Sequence, residues 1–450
     1  MVTLVVAIFV LAYLLIVLEH PLKLDKAVPA LLGGVLCWAI IFMAELPVLD
    51  AEHHINSSKE VLLHHLGEIA QILFFLIGAM VIVELVDLHQ GFTVITNQIQ
   101  TKNKRKLLWL ISWMAFFFSA ILDNLTTTIV FISLLRKLIP DAKDRIWFAS
   151  FVVIAANAGG VWTPIGDVTT TMLWIKEKVS TLGLIEHLLL PSLACLGIPL
   201  LIAGFLPVFK GKWSEKATEP SDASHAAHRL LSSKTMLIFG VGGLIFVPIV
   251  KAVTGLPPYM GMLFSLSVVW MVSEYIHPEE NFTEERKQMY SVRHALSRIE
   301  LSSILFFLGI LLAVSSLDAM VVGSHTAEHP IGFLTSVAYA LQKAIPQLDI
   351  VVIILGLLSA IVDNVPLVAA IMGMFPMNEY PMDAKLWQFI AYAAGTGGSI
   401  FIIGSAAGVA AMGMERIDFI WYLKKMSWIA LAGYIAGVIV FLIVYQLLLA

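Results

Sequence analysis

Ten apolar runs long enough to cross a bilayer dominate this chain, at 2–18, 27–44, 66–88, 146–175, 184–208, 235–254, 258–276, 301–321, 387–413 and 427–449. About 20 apolar residues of helix cover the ~30 Å hydrocarbon core. Only helices and closed barrels satisfy their own backbone there. Runs of this length read as helices, so the expected fold class is an all-α polytopic membrane protein. Composition agrees, since 59% of the 450 residues are hydrophobic and 13% charged, whereas soluble domains are roughly 45–50% apolar. A net charge of −4 leaves no basic footprint for nucleic acid. Cys37 and Cys195, the two cysteines, sit inside apolar runs and offer neither a disulfide framework nor a thiolate site. Residues 2–18 lack the basic flank and small-residue cleavage pattern of a signal peptide and read as a span.

Two further apolar segments, 107–139 and 348–375, are interrupted by Asp123-Asn124 and Asp363-Asn364. Their arms of about 11–16 residues fall at or below the ~17 needed for a full span, so both are expected to be re-entrant hairpins, with two short full crossings as the alternative that conserves the same sidedness. Charge tests this. With both segments returning to the side they came from, 22 of the 28 basic residues fall in the loops of one face, as the positive-inside rule demands. Single crossings would divide them 13 to 15. The basic face is then cytoplasmic, with 209–234 and 277–300 as polar connectors on that side and both chain ends outside.

An internal repeat is legible. Glu68-Ile-Ala-Gln-Ile-Leu-Phe-Phe-Leu76 recurs as Glu300-Leu-Ser-Ser-Ile-Leu-Phe-Phe-Leu308; Leu122-Asp-Asn-Leu125 recurs as Val362-Asp-Asn-Val365; and Gly159-Gly160 with Gly166 recur as Gly397-Gly398 with Gly404. Each repeat is a span, a hairpin and a glycine-broken span. The first hairpin lies between basic loops and the second between Lys343 and Lys385, so the repeats are expected to be inverted. That architecture places a binding site near the midplane at the repeat interface. The expected organisation is N-terminal spans over 1–65, a first repeat over 66–175, linking spans and cytoplasmic loops over 176–299, a second repeat over 300–413 and a C-terminal span over 414–450.

The chemistry gathers at the breaks. A charged carboxylate at the depth of Asp123 or Asp363 costs several kcal/mol unless it is neutralised, paired or wetted. A proton and a metal cation are the two neutralisers available to a transporter, and where they compete for one carboxylate, loading one expels the other. Asp at the start of a helix is also good capping chemistry, a purely structural alternative, and the same holds for Asn124 and Asn364. The stretch Asn157-Ala-Gly-Gly-Val-Trp-Thr-Pro-Ile-Gly-Asp-Val-Thr-Thr170 cannot stay helical throughout. It exposes carbonyls and adds the hard oxygens of Asp167, Thr169 and Thr170, of the kind that hard cations prefer. The halves differ. Thr126, Thr127 and Thr128 follow the first Asp-Asn pair, whereas Pro366 and Leu367 follow the second. An asymmetric site is expected, built on 123–127 and 157–170, with Asp123, Asp167 and Asp363 as sodium-binding carboxylates and Thr396, Ser399 and Ser405 completing or gating it. Asp363 looks almost alone.

Glu68 and Glu300 hold one repeat position near opposite surfaces and are candidates for gating or proton access, or else solvated end residues. Glu84, Asp87 and Asp318 read as interfacial. His53, His54, His64 and His65 form the one histidine concentration, a conceivable pH sensor or a plain solvated loop.

The paired Asp-Asn hairpins and the Thr163-Pro-Ile-Gly-Asp-Val-Thr-Thr170 run resemble the NhaD-type sodium/proton antiporters of the ion transporter superfamily, which also holds arsenite pumps and dicarboxylate carriers. The resemblance extends from Glu68 through Glu415. It implies exchange of cytoplasmic Na+ or Li+ for external H+ across a bacterial inner membrane at alkaline pH, in the service of pH homeostasis. It also implies no cofactor beyond the transported ions, no partner beyond membrane lipid and small inorganic cations, and a possible homodimer. It places function on Glu68, Asp123, Asn124, Asn157, Asp167, Thr169, Thr170, Glu300, Asp363 and Asn364. Two rivals are weighed. An anion carrier wants helix N-termini free of acids, often with Arg or Lys nearby, yet no basic residue lies in 107–135 or 147–175. An intramembrane enzyme needs a nucleophile and base, yet neither hairpin nor broken span contains histidine.

Overall fold

The computed structural model describes residues 1–50, 54–96, 101, 103–139, 141–212, 231–276, 290–322 and 331–449. His53, Lys102 and most of the connectors 209–234 and 277–300 lie outside the described residues. The first half runs α1 (Val2–Val17), α2 (Ala27–Met43), α3 (Ser58–Leu88), α4 (Lys104–Leu122), α5 (Asn124–Leu138), α6 (Ala142–Gly160), α7 (Val168–Ile175) and α8 (Thr181–Ala203). The second runs α9 (Ser233–Thr254), α10 (Pro258–Tyr275), α11 (Leu301–Ala319), α12 (Phe333–Ala344), α13 (Leu348–Leu358), α14 (Asn364–Met374), α15 (Lys385–Gly397), α16 (Ala406–Glu415) and α17 (Ser427–Leu449). Large apolar side chains such as Leu11, Val35, Phe205, Val253 and Phe264 stay exposed on this all-α fold. In a polytopic membrane protein that surface faces lipid.

The same order of helices therefore runs through both halves, beyond the three landmarks visible in sequence, except that the bent pair α12–α13 stands where the first half has the single helix α4. Packing crosses between them: α2 lies on α11 and α10 on α3, α5 on α16 and α14 on α7, and α8 on α17. Helices α3 and α11 pack antiparallel. A β-bridge joins Val48, ahead of α3, to Met320 after α11, and at the other end Arg298, ahead of α11, pairs with Glu84 near the end of α3 at 2.7 Å.

The hairpins enter from opposite ends. At the base of the first, Arg136 and Arg145 hold Glu415, the last residue of α16, at 2.7 and 2.5 Å. At the base of the second, the Asp383 amide donates to the Lys178 carbonyl at 2.9 Å, just past α7, and the Asp383 carboxylate accepts from the Ser180 amide at 2.7 Å. Thus α6–α7 runs from the first base to the second, and α15–α16 runs back.

The recurring glycines are where backbones meet. A Cβ on Gly159 would stand 2.0 Å from the Phe116 carbonyl oxygen of α4, and one on Gly397 2.0 Å from the Gly356 oxygen of α13. Gly166 and Gly404 meet the Ser119 and Ser359 oxygens at 2.6 and 2.2 Å. Each broken span packs against its own hairpin through these pairs, because no side chain fits between.

Three features depart from the sequence expectation. Helix α4 has 19 residues, about 28 Å at 1.5 Å per residue, which is long enough to cross. Its first turn is basic: Asn103 caps the Lys106 amide at 3.0 Å and Lys104 pairs with Asp144 at 2.5 Å. An apolar window excludes that turn, so the arm reads shorter than it is. Helix α3 begins at Ser58 rather than 66, because the turns before the apolar run carry Lys59, Glu60, His64 and His65 and still stay helical. Helix α12 has no counterpart in the sequence expectation; it is bent 114° from α13 and carries too many polar residues to register as a span.

Candidate functional site

Four helices restart at the breaks, and each first turn is capped by the side chain before it. Asp123 accepts from the Thr126 amide at 2.8 Å and the Thr126 hydroxyl at 2.7 Å. Asp167 accepts from the Thr169 amide at 2.8 Å and hydroxyl at 2.6 Å. Asp363 accepts from the Val365 amide at 3.2 Å, and Ser405 from the Gly408 amide at 3.1 Å. The capping alternative is therefore real, but a carboxylate has about four acceptor sites and these caps leave some free. Asp123 sits at φ 97°, a conformation that favours glycine and stores about 1–3 kcal/mol of strain. Asp363, at φ −50°, has no such strain.

Two asparagines knit the repeats together. The Asn124 amide donates to the Asp167 carboxylate, a close contact, and to Asn157 Oδ1 at 3.1 Å. The Asn157 amide in turn donates to Ser399 Oγ at 2.9 Å and Ser405 Oγ at 2.8 Å. One buried chain thus runs from the first hairpin tip through both broken spans. Thr170 bonds the Asp167 carbonyl at 2.9 Å.

Asp123, Asn124, Thr126, Asp167, Asp363 and Asn364 line one cavity of about 90 Å³. With a water occupying about 30 Å³ of liquid, it has room for a small ion and one or two waters. The three carboxylates surround this space without closing on one point, and among the described residues no three His, Cys, Asp or Glu side chains do so.

Larger cavities flank it. One of about 290 Å³, with Glu84, Asp87, Arg298 and Glu300 in its wall, reaches Leu125 and Thr126. Another of about 290 Å³ reaches Lys26, Asp363 and Ser405 past Glu19. Both lie toward the basic face, since Lys137 and Arg298 line the first and Lys26 the second. On the far side a vestibule of about 530 Å³ carries His64, His65, Glu68, Lys176, Lys178 and Asp318 and shares no residue with the central cavity.

The structure brings most of the expected residues together and sets some aside. Thr127 and Thr128 are buried away from the cavity, their hydroxyls without a partner among the described residues. Thr396 bonds the Tyr392 carbonyl at 2.6 Å, one turn back in its own helix, and Ser399 joins only through Asn157. Glu68 lies in the large vestibule on the far side, 2.5 Å from Lys176 and 3.4 Å from His65; Glu300 lies in a cavity toward the basic face. Glu84 and Asp87, expected at the interface, share Arg298 at 2.7 and 3.4 Å. Asp363 is not alone. The Lys26 ammonium stands 2.9 Å from its carboxylate. Sequence reasoning misses Lys26 because a lysine ahead of an apolar run looks like an ordinary cytoplasmic anchor.

Comparison with known proteins bears on this site. The profile of the CitMHS family, described as citrate transporter, matches residues 13–395. Sodium/proton antiporter 1 of Arabidopsis thaliana is 45% identical over 98% of this chain and 72% of its own length. Sodium/proton antiporter 2 of the same plant is 43% identical over 97% of this chain and 98% of its own. The Na(+)/H(+) antiporter NhaD of Vibrio cholerae is 28% identical over 97% of this chain and 90% of its own. All three relatives are named as transporters, and they come from a plant and a bacterium alike. The chain therefore belongs to the CitMHS family of membrane transporters, among its NhaD-type ion transporters.

Proposed function

We propose that this protein exchanges cytoplasmic Na+ or Li+ for external H+ by alternating access, with Asp123 and Asp167 as the carboxylates at which cation and proton compete. The observation that carries this reading is the central cavity: carboxylates from both repeats, each at the restart of a broken helix, around about 90 Å³. Burial makes their uncompensated charge costly, so each must be occupied by a proton or a cation. Asn124 lines the cavity beside Asp167, Asn157 braces it from behind through its own amide oxygen, and Thr126, Thr169 and Thr170 hold the carboxylates and backbone in place. The inner cavities reach the site and the outer vestibule does not, as suits a carrier open toward the cytoplasm. Glu300 and Glu68 would mark the inner and outer approaches, and a bacterial inner membrane is the setting we infer.

The family's citrate description raises the anion reading again, and four helix N-termini around one cavity favour it, because such termini attract anions. Three of them are occupied by Asp carboxylates and the fourth by Ser405. The cavity is also far below the ~300 Å³ of a small-molecule pocket. Cation exchange fits better. In everted vesicles acidified inside, added Na+ or Li+ should collapse ΔpH at alkaline pH, and Asp123→Asn and Asp167→Asn should each abolish the collapse. Citrate-driven collapse without a response to Na+ or Li+ would refute the proposal.

A further inference from the structure

Lys26 precedes α2, yet its ammonium reaches the tip of the second hairpin, 2.9 Å from Asp363 Oδ2 and 4.4 Å above the Phe306 ring. Both members of the pair are largely withdrawn from solvent, with side chains 21% and 15% exposed. Lys26 lines both the central cavity and an inner one. It is also unmatched. Helix α2 begins at Ala27 and its counterpart α10 at Pro258, so the position equivalent to Lys26 is Pro257, which offers Asp123 no cation.

An exchange site must neutralise its buried carboxylates in every state of its cycle, and three bare ones around 90 Å³ would repel strongly in a low dielectric. A lysine can fill one place permanently. Its four-carbon stem carries a compact charge across the protein surface into the site, and the Phe306 face holds that charge from the other side. We propose that Lys26 is a tethered cation of the exchange site: its ammonium occupies Asp363, keeps that carboxylate from taking protons or the transported cation, and leaves Asp123 and Asp167 to carry the exchange. This deepens the cation/proton reading and rests on it. Lys26 is a positioning residue acting through Asp363. The other titratable groups that face the pair are Glu19, Asp25, Glu300, Tyr13, Asp123 and Asp167.

The test is the pH profile of Na+-driven exchange in proteoliposomes for the wild type, Lys26→Met, Lys26→Arg, Asp363→Asn and the double variant Lys26→Met/Asp363→Asn. Removing the ammonium opens Asp363 to protons, which compete with Na+. The half-maximal point of Lys26→Met should therefore move about one unit toward alkaline pH, with apparent KM for Na+ about tenfold higher on the acid side and kcat much less changed. Lys26→Arg should keep the wild-type profile, and Lys26→Met should add no shift in the Asp363→Asn background. A profile of Lys26→Met that superimposes on the wild type, or an equal shift in both backgrounds, overturns the proposal. If Lys26→Met yields no folded protein, the double variant decides: recovery of folded protein supports the pairing, and loss in both overturns it. A wild type that moves neither Na+ nor Li+ overturns the proposed function instead. The pairing is then judged by thermal unfolding, where Lys26→Met must lower Tm less in the Asp363→Asn background than in the wild-type protein.

Discussion

Replacing Gly159 or Gly397 by alanine tests how the repeats are assembled. In each case the new Cβ would stand 2.0 Å from a backbone carbonyl oxygen, that of Phe116 or of Gly356. An ordinary contact begins at about 3.4 Å, so hairpin and broken span must separate by more than 1 Å. A gap of that size forfeits a quarter to a half of the dispersion between facing atoms, and overpacking of this kind costs about 1–3 kcal/mol. A carbonyl in a helix cannot swing aside as a side chain would, so the upper part of that range is expected, about 2–3 kcal/mol, or roughly thirty- to 150-fold in the folding equilibrium. In Gly159→Ala the same shift displaces Gly160 and Asp167, which lie so close that a Cβ added to Gly160 would stand 3.3 Å from the Asp167 Cβ. Exchange activity should fall together with Tm. Gly197→Ala and Gly242→Ala are the controls: nothing stands within 4 Å of either new Cβ, and a helical Gly→Ala change gains up to about 1 kcal/mol. Detergent-solubilised protein followed by thermal unfolding, with parallel transport assays, separates the two groups. If Gly159→Ala and Gly397→Ala match Gly197→Ala in Tm and rate, close backbone approach is not what these repeated glycines provide.

Asn157→Ala removes the donor to Ser399 and Ser405 and the acceptor for Asn124; with about 1–3 kcal/mol per orphaned buried group, a loss of about 2–4 kcal/mol and weaker apparent Na+ affinity are expected, measured by unfolding and by KM. Glu415→Gln strips the counter-charge from Arg136 and Arg145; Glu415 is 1% exposed but Arg136 is 48% exposed, so denaturation should register about 2–3 kcal/mol, short of the ~3–5 for a fully buried pair. Lys178 lies in the loop after α7, where burial pulls its ammonium from 10.5 down to about 8. Between those two values the unfolded chain binds more protons than the folded one, so this group makes stability rise with pH across that window, by about 3 kcal/mol in full. Unfolding of Lys178→Met against pH should lack that rise; an unchanged slope would mean the ammonium stays charged in the folded protein.

How much was legible in the sequence follows from what each signal depends on. Length and apolarity report the cost of exposing backbone and charge to lipid, a property of a segment alone, so α1, α2, α9, α10, α11 and α17 could be placed by inspection. The break points were equally plain, because Gly, Pro and a mid-segment Asp disrupt a helix wherever it packs. Basic turns hid the true length of α4, and polar residues hid α12, because an apolar window cannot separate a charged helical turn from a loop.

Sequence alone determined that this chain is an all-α membrane protein with a doubled set of Asp-Asn pairs and glycine breaks, and that side-chain oxygens are richer at the breaks of the first half. Tertiary structure decided the rest: which glycine meets which carbonyl, which threonines turn away from the cavity, and that Asp363 has a lysine partner 337 residues distant in the chain. The division has a physical cause. Partition into lipid sums over neighbouring residues, whereas the compensation of a buried charge depends on whichever group the fold carries to within about 3 Å of it.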